Sequence, residues 1–312
     1  MTSFKKILFS ILVLALLALA YVAGATNGAP SARLVEELRK LAKHALAGWE
    51  KTAADSPSAA SVNRLTNFPG KKEISCPEQD PKTAVLLLLG QSNAGNHAGQ
   101  RFSSAFGGNI VNFFDSKCYI AESPLLGSTG SWGESWTLLG NNLVENRKFD
   151  KVILVPAAVS GSTASRWQSG SDVNAMLMTI ITNLKAHYRI THILWHQGES
   201  DFAIGTREDE YRRMFTSMLK DIRGEGIEAP IFVSVATKCA DGPIWSADNP
   251  TARAQRLLPD SRQSVFAGVD TDALLGDTDR FDGCHFGSTG QQKFARAWYE
   301  IIDRAGKPYP SQ

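Results

Sequence analysis

Four short apolar segments, separated by helical patterns, constrain the fold of this sequence more than any other feature. Each segment is continuously apolar rather than alternating, as expected of strands that are covered on both faces in a parallel sheet. The segments are residues 85–89, 152–155, 193–195 and 231–235. Strands that alternate with helices in this way predict an α/β sandwich with right-handed crossovers.

Apolar residues at helical spacing lie between these strands and again near the carboxyl terminus. The predicted helices are 136–146, 173–187, 208–223 and 291–303. Ser288-Thr289-Gly290-Gln291 precedes the last helix and matches the capping-box pattern, in which a serine side chain caps the first turn. We therefore expect the last helix to begin at this tetrapeptide.

The first 25 residues have the composition of a secretory signal peptide. Lys5 and Lys6 precede an apolar stretch that ends in Ala23-Gly24-Ala25, a small-residue cleavage pattern. Residues 1–25 are predicted to be this signal, with an uncleaved membrane anchor as the alternative, because the stretch is nearly long enough to span a bilayer. The folded part is expected outside the cytoplasm in either case. Membrane contact is expected only if the segment stays uncleaved.

Residues 26–80 are predicted to form an N-terminal helix and a linker. Leu34, Leu38, Leu41 and Ala45 recur at helical spacing, and residues 53–67 are rich in Ala, Ser and Pro. The remaining residues, 81–308, fit one domain.

Composition excludes some functions and suggests disulfides. The chain has 33 basic and 31 acidic residues and no basic block, so no nucleic-acid partner is expected. It lacks Cys-x-x-Cys and His-Glu-x-x-His motifs, which argues against a zinc site. Four cysteines in an exported chain favour two disulfides. Of three pairings, we favour Cys76–Cys118 and Cys239–Cys284, since each would tie a flank or loop near the polar clusters described next.

Polar clusters follow all four predicted strands. The carboxyl ends of parallel strands meet at one edge of a sheet, where α/β proteins place their active sites. In chain order the clusters are Gln91-Ser92-Asn93, Ser160-Gly161-Ser162, His196-Gln197-Gly198-Glu199 and Lys238-Cys239-Ala240-Asp241. This alignment predicts one active site at that edge.

Ser92, His285 and Asp282 are the candidate catalytic residues. A serine hydroxyl attacks an ester only with a base within reach, and His285 is the candidate base. Asp282, three residues earlier in the same loop, is the candidate orienting acid. The alternative for Ser92 is a helix N-cap. Gly90-Gln91-Ser92-Asn93-Ala94 is not a Gly-x-Ser-x-Gly elbow, which argues against an α/β-hydrolase.

Three donors are predicted to stabilise a tetrahedral oxyanion. They are the backbone N–H groups of Ser92 and Gly161 and the side-chain amide of Gln197. For Gly161 alone, a simple turn glycine is the competing interpretation. Glu199 or Asp201 would orient His285 or Gln197, or else lie on a solvated loop.

Other side chains near the clusters are candidates for substrate contact. Trp167 is a candidate sugar-stacking residue, whereas Trp195 is expected in the core because it ends an apolar run. Arg166 is a candidate for an acidic substrate group. His97 lies near Ser92 and would either contact substrate or lie in a solvated loop.

Taken together, these motifs resemble the SGNH hydrolase superfamily, and within it the sialate O-acetylesterase and acetylxylan esterase branch. The matching segments are Gly90-Gln91-Ser92-Asn93, Gly161-Ser162-Thr163 with Trp167, Trp195-His196-Gln197-Gly198-Glu199-Ser200-Asp201 and Asp282-Gly283-Cys284-His285. The resemblance implies a flavodoxin-like three-layer fold with a central parallel sheet. It also implies removal of acetyl groups from carbohydrate hydroxyls without metal or cofactor.

By matching position, the resemblance assigns Ser92 as nucleophile, His285 as base, Asp282 as its partner and Gly161 as an oxyanion donor. Gln197 stands where the superfamily usually has an asparagine. Some relatives use the glutamate of the His-Gln-Gly-Glu segment as the triad acid, so Glu199 is a rival to Asp282.

Three functional hypotheses follow. The leading one is an exported carbohydrate O-acetylesterase acting through a Ser-His-Asp acyl-enzyme. The second is an extracytoplasmic polysaccharide O-acetyltransferase that uses the same residues. The third is a carbohydrate-binding module without catalysis, which the presence of Ser92, Asp282 and His285 together argues against.

Overall fold

The strand Thr83–Gly90 lies near the middle of an eight-stranded sheet in the computed structural model, which describes residues 62–239 and 243–305. The strands are β1 (Glu73–Ile74), β2 (Thr83–Gly90), β3 (Ile110–Phe114), β4 (Lys117–Ile120), β5 (Lys151–Pro156), β6 (His192–His196), β7 (Ile231–Val235) and β8 (Val265–Asp270). The α-helices are α1 (Trp136–Glu145), α2 (Asp172–Lys185), α3 (Glu199–Ile204), α4 (Glu208–Gly224), α5 (Pro250–Leu257), α6 (Thr271–Leu274) and α7 (Ser288–Arg304).

The strand order across the sheet is β1-β4-β3-β5-β2-β6-β7-β8. From β3 to β8 neighbouring strands are parallel, whereas β4 runs antiparallel to both β1 and β3. The five strands β5-β2-β6-β7-β8 have the flavodoxin-like order, in which the chain reverses its direction of winding between the first and third strands. Here that reversal lies between β2 and β6. The predicted flavodoxin-like α/β fold is confirmed.

Residues of β2 alternate between two apolar cores, one on each face of the sheet. Val85, Leu87 and Leu89 belong to the core covered by α2 and α4, whereas Ala84, Leu86 and Leu88 belong to the core covered by α1 and α7. All eight residues of β2 are buried. The continuous apolar run therefore has the predicted cause: both faces of the central strand are covered, which gives three layers.

All four predicted strands and all four predicted helices are present. Strands β1, β3, β4 and β8 were not predicted, because none is a continuous apolar run. Asn112 interrupts β3, and β8 has partly exposed positions. The β3–β4 hairpin turns at Asp115 and Ser116, both at positive φ, which suits a two-residue turn between antiparallel strands.

The predicted capping box before the last helix is wrong. α7 begins at Ser288, so Gly287 holds the cap position and no side chain caps the helix. Gln291 is instead buried, where its amide donates to the carbonyls of Gln100 and Glu134. Gln291 forms these long-range hydrogen bonds instead of the predicted capping bond, because the segments that contain Gln100 and Glu134 lie against this end of the helix.

Residues 62–80, predicted to be linker, add to the edge of the sheet. β1 pairs with β4, and a Cys76–Cys118 disulfide ties the same segment to β4, as favoured from the sequence. The predicted signal peptide and the predicted N-terminal helix lie outside the described residues. Within the described ranges, no helix is long and apolar enough to cross a membrane.

Candidate active site

Ser92 lies in a single 3-10 turn, Ser92–Ala94, directly after β2. Gly90 permits this geometry: its φ is +137°, and a Cβ there would lie 1.9 Å from the carbonyl oxygen of His196. β2 and β6 therefore approach each other at the winding reversal, where flavodoxin-like proteins form their binding crevice. Ser92 is 4% exposed, and its side chain caps no helix, so the alternative N-cap role is not realised.

Asp282 and His285 face each other within one short loop. Asp282 Oδ2 lies 2.7 Å from His285 Nδ1, and Asp282 Oδ1 accepts hydrogen bonds from the backbone N–H groups of Cys284 and His285. Burial opposes ionisation of Asp282, but these hydrogen bonds outweigh it and hold its pKa below the usual value. Because Nδ1 faces the carboxylate, Nε2 is the ring nitrogen left for a reacting group.

Asn93 joins the serine turn to the histidine loop. Its Nδ2 lies 3.3 Å from the carbonyl oxygen of Cys284, and its Oδ1 accepts from the N–H of Phe286 at 3.2 Å. Cys284 and Phe286 flank His285 in the chain. The side chain next to Ser92 therefore holds the backbone on both sides of His285.

Gly161 lies on the loop that follows β5, close to the end of β2. The N–H of Val159 donates to the carbonyl of Gly90 at 2.9 Å, which holds this loop against β2. Gly161 has φ +67°, and no described atom lies within 4 Å of a Cβ built there. In the part of the chain that the structure describes, neither the Ser92 N–H nor the Gly161 N–H donates to a protein acceptor. Both groups can therefore meet an incoming oxyanion.

Gln197 lies beside the serine turn, but its amide group is already bonded. Its Nε2 lies 2.6 Å from Asp201 Oδ2, 3.0 Å from the Ser162 carbonyl and 3.2 Å from Gln91 Oε1. The side chain is fully buried, and two hydrogens face three acceptors. Contrary to the sequence-based expectation, this amide has no hydrogen to spare for an oxyanion. Asp201 does orient Gln197, as one alternative had it.

The Gln91 side chain connects the serine turn to Gln197 and to the start of α3. Its Oε1 accepts from Gln197 Nε2 and from the N–H groups of Gly198 and Ser200, at 3.1–3.2 Å. The side chain of the residue before the serine thus accepts hydrogen bonds from the backbone at the start of α3. Ser92 therefore directly follows a residue that is part of a buried hydrogen-bonded layer with Gln197 and the start of α3.

Glu199, the rival triad acid, makes no bond to His285. It is 3% exposed, and its Oε1 accepts from Asn93 Nδ2 at 2.9 Å. His196 Nε2 lies 3.6 Å from the same oxygen. Burial alone would raise the pKa of Glu199, but His196 and the Asn93 amide hold it below its usual value. Glu199 therefore acts on the site through Asn93.

Two predicted substrate contacts lie elsewhere. Trp167 is 1% exposed, its ring packs edge-on against Trp195, and its Nε1–H donates to Ser162 Oγ, so it is a core residue. Arg166 forms an ion pair with Asp172. Bulky apolar character after a strand does not distinguish a core tryptophan from a surface one, because burial depends on the helices that cover it.

Aromatic rings surround His285 on its exposed loop. The His97 ring stacks on it at 5.7 Å between centroids, and the Phe281 ring, 59% exposed, stacks at 6.1 Å. Burial, with a smaller contribution from the charge of His285, lowers the pKa of His97 to about 4. His97 is therefore neutral at neutral pH, and it lies beside His285.

A second disulfide, Cys239–Cys284, ties the histidine loop to the segment that follows β7. This is the pairing favoured from the sequence. Residues 240 and 241, the rest of the fourth predicted cluster, lie outside the described residues. Among residues 62–239 and 243–305, no group of three or more His, Cys, Asp and Glu side chains is arranged to hold a metal ion.

A family model described as carbohydrate esterase, sialic acid-specific acetylesterase, matches residues 82–302. The chain belongs to this family. It is accordingly an enzyme of the carboxylic ester hydrolase class, with an acetylated carbohydrate as the class of substrate. A comparison with curated protein sequences finds no significant match.

Solved structures of similar fold include an Arabidopsis thaliana protein, at 19% identity and a TM-score of 0.57, which covers 72% of this chain and 99% of its own. A carbohydrate acetylesterase from Xanthomonas citri has 15% identity and a TM-score of 0.47, over 71% of this chain and 55% of its own. A family 3 carbohydrate esterase from Talaromyces cellulolyticus has 14% identity and a TM-score of 0.48, over 73% and 100%. At such identities the Arabidopsis structure supports the fold alone.

Proposed function

We propose that this protein is an exported O-acetylesterase, which removes acetyl groups from carbohydrate hydroxyls through an acetyl-enzyme on Ser92. The observation that carries the proposal is the 2.7 Å contact between Asp282 and His285, on a loop that Asn93 holds against the Ser92 turn. Export is supported by two disulfides, which persist outside reducing compartments.

In the first step, Ser92 Oγ attacks the acetyl carbonyl carbon while His285 Nε2 takes the hydroxyl proton. Asp282 holds the opposite ring nitrogen and stabilises the imidazolium. The carbonyl oxygen becomes an oxyanion, which the N–H groups of Ser92 and Gly161 stabilise. The C–O bond to the sugar then breaks, and His285 returns its proton to the leaving sugar oxygen.

In the second step, water attacks acetyl-Ser92, and His285 takes a proton from that water. A second tetrahedral oxyanion forms at the same donors, its bond to Ser92 Oγ breaks, and His285 returns the proton to this oxygen. Acetic acid leaves and ionises to acetate, and Ser92 is free again. Gln197 is not included among the donors, because its amide is bonded to Asp201 and Ser162. Its role in the proposal is to hold Gln91 and the backbone of Ser162 in position beside the serine turn.

The test is hydrolysis of p-nitrophenyl acetate and of acetylated oligosaccharides by purified protein, beside Ser92→Ala. We expect turnover in the parent and a fall in kcat of at least about 10⁴-fold in folded Ser92→Ala, because the nucleophile is removed. Equal rates in both proteins would refute the mechanism. A non-acetylated sugar acceptor in the same assay separates the two enzyme hypotheses. Free acetate as the main product supports the esterase, and acetylated acceptor as the main product supports the transferase.

A further inference from the structure

We propose that Asn93 is a positioning residue that fixes the His285 imidazole relative to Ser92, and that Glu199 helps to hold the Asn93 amide in its orientation. This inference rests on the proposed function, because it assigns Asn93 a part in the same reaction. The starting observation is that one amide side chain bonds to the carbonyl of Cys284 and to the N–H of Phe286. Between these two groups the chain carries only His285.

Asn93 forms the hydrogen bonds that connect the serine turn to the histidine loop. Within the described residues, every hydrogen bond from the Ser92–Ala94 turn to the Asp282–Phe286 segment is made by Asn93. The other bonds of this segment connect it to residues outside the serine turn. Arg280 bonds to the Cys284 carbonyl, the Cys239–Cys284 disulfide leads to the end of β7, and Gly99 N–H bonds to the Phe286 carbonyl. Without the Asn93 side chain, these other bonds would still attach the loop to the domain, but the loop would be free to shift relative to Ser92.

The direction of the Asn93 amide is fixed by its two backbone partners and reinforced by a third partner, Glu199. A carboxylate accepts hydrogen bonds and does not donate, so the contact of 2.9 Å with Glu199 Oε1 turns Nδ2 toward Glu199. The same group then reaches the Cys284 carbonyl, and Oδ1 faces the Phe286 N–H. Glu199 is held ionised by His196 and Asn93, which keeps it an acceptor. Asn93 is 1% exposed, so water does not compete for these bonds.

The alternative is a purely structural role, in which Asn93 only satisfies buried backbone groups. Asn112 does this without a hydrogen bond to the Ser92 turn or to the histidine loop, and it provides a matched control. It is also fully buried, and its amide bonds in the same way to the carbonyl and the N–H of one loop residue, Leu126. Replacing either asparagine with alanine leaves a buried N–H and carbonyl without partners, so both variants should lose stability to a similar extent. Only Asn93→Ala should change the chemistry.

The experiment is a double-mutant cycle on kcat for p-nitrophenyl acetate, with Asn93→Ala, His285→Ala, the double variant and Asn112→Ala. We expect Asn93→Ala to lower kcat about 100-fold with little change in KM, because small displacements of a reacting group cost about this much. In the His285→Ala background, the same change should alter the rate by less than about threefold. Asn112→Ala should keep the parental kcat. Equal losses from Asn93→Ala in both backgrounds, or a loss of stability alone, would overturn the proposal.

Two further measurements keep the proposal testable if Asn93→Ala does not fold or if the protein shows no turnover. If Asn93→Ala does not fold, Asn93→Ser replaces it in the same cycle with the same expectations. Imidazole NMR signals of ¹⁵N-histidine-labelled protein report the position of His285 without any turnover. We expect the His285 signals to shift in the Asn93 variant and to stay unchanged in Asn112→Ala. Unchanged His285 signals in the Asn93 variant would contradict positioning even in an active enzyme. If the folded parent shows no esterase activity, the proposed function is rejected, whereas a shift of the His285 signals in the Asn93 variant would still support positioning.

Discussion

The serine half and the histidine half of the candidate site are built in different ways. Ser92 follows the buried central strand β2, next to Gln91, whose side-chain oxygen accepts hydrogen bonds from Gln197 and from the start of α3. His285 and Asp282 lie on a loop between secondary elements, with side chains 24% and 41% exposed. The core of the domain therefore holds the candidate nucleophile, whereas individual cross-links hold the candidate base, among them one disulfide, one asparagine and one carboxylate. We expect substitutions of Asp282 and His285 to reduce activity without unfolding the protein, because both side chains are partly exposed.

Replacing the acid should give the largest effect and separates the two candidates for it. Asp282→Asn should lower kcat about 10⁴-fold, because an amide favours the wrong tautomer of His285. Glu199→Gln should lower kcat far less, because a glutamine oxygen can still accept from Asn93 while the contact of Asp282 with His285 stays intact. Steady-state kinetics on acetyl esters decides between them. A larger loss in Glu199→Gln would make Glu199 the triad acid.

Removing each disulfide separates stability from activity. The bridges close segments of similar length, with separations of 42 and 45 residues, so each should contribute about 4 kcal/mol through the unfolded chain. Replacing Cys239 and Cys284 with alanine should also lower kcat on the order of 100-fold, because His285 is freed to shift. Replacing Cys76 and Cys118 should lower the melting temperature alone. Equal activities in the two folded variants would show that the loop does not need its bridge.

Adding a methyl group at Gly161 tests the oxyanion site on the serine side. The φ of +67° makes an alanine strained there by roughly 1–2 kcal/mol, so the backbone N–H should move from its position. We expect kcat to fall about tenfold, less than the loss of about 10²–10³ seen when a donor is removed entirely. Gly170→Ala is the control, because Gly170 has φ +80° and equally open surroundings. Equal kcat in both variants would exclude the Gly161 N–H as a donor.

The smallest expected effect is a change in the pH dependence of stability at His97. Its folded pKa, about 4, lies below the ordinary value of 6.5, so between these pH values the unfolded chain binds more protons. Neutral His97 thus contributes stability above pH 6.5 that is lost as pH falls toward 4. His97→Asn should therefore show a shallower fall in melting temperature from pH 6.5 to pH 4.5. An unchanged slope would mean that His97 titrates normally.

The serine half was also the more predictable from sequence. Continuous apolar runs located β2, β5, β6 and β7, and the polar residues after them located Ser92 and Gly161, because both signals are local in the chain. Asp282 and His285 were found together because they lie three residues apart. The bonds of Asn93 were not predicted, since its partners are about 190 residues away. The engagement of Gln197 and the burial of Trp167 also depend on tertiary packing, which a motif does not report.

The strands that the sequence did not reveal have a related physical cause. β3 carries a buried asparagine, and β8 includes exposed and glycine positions, so neither has the apolar pattern of a covered strand. Asn112 is accommodated because its amide meets the backbone of Leu126. The pairing of such strands is determined by their neighbours in the sheet rather than by their own composition.

The most direct test of this account is the mass of the protein quenched during turnover of an acetyl ester, followed by peptide mapping. The account predicts one acetyl group on the peptide that contains Ser92, with more of it in the parent than in Asp282→Asn and none in Ser92→Ala. A folded, active parent with no acetyl group on that peptide would contradict it. An acetyl group on another residue would do the same.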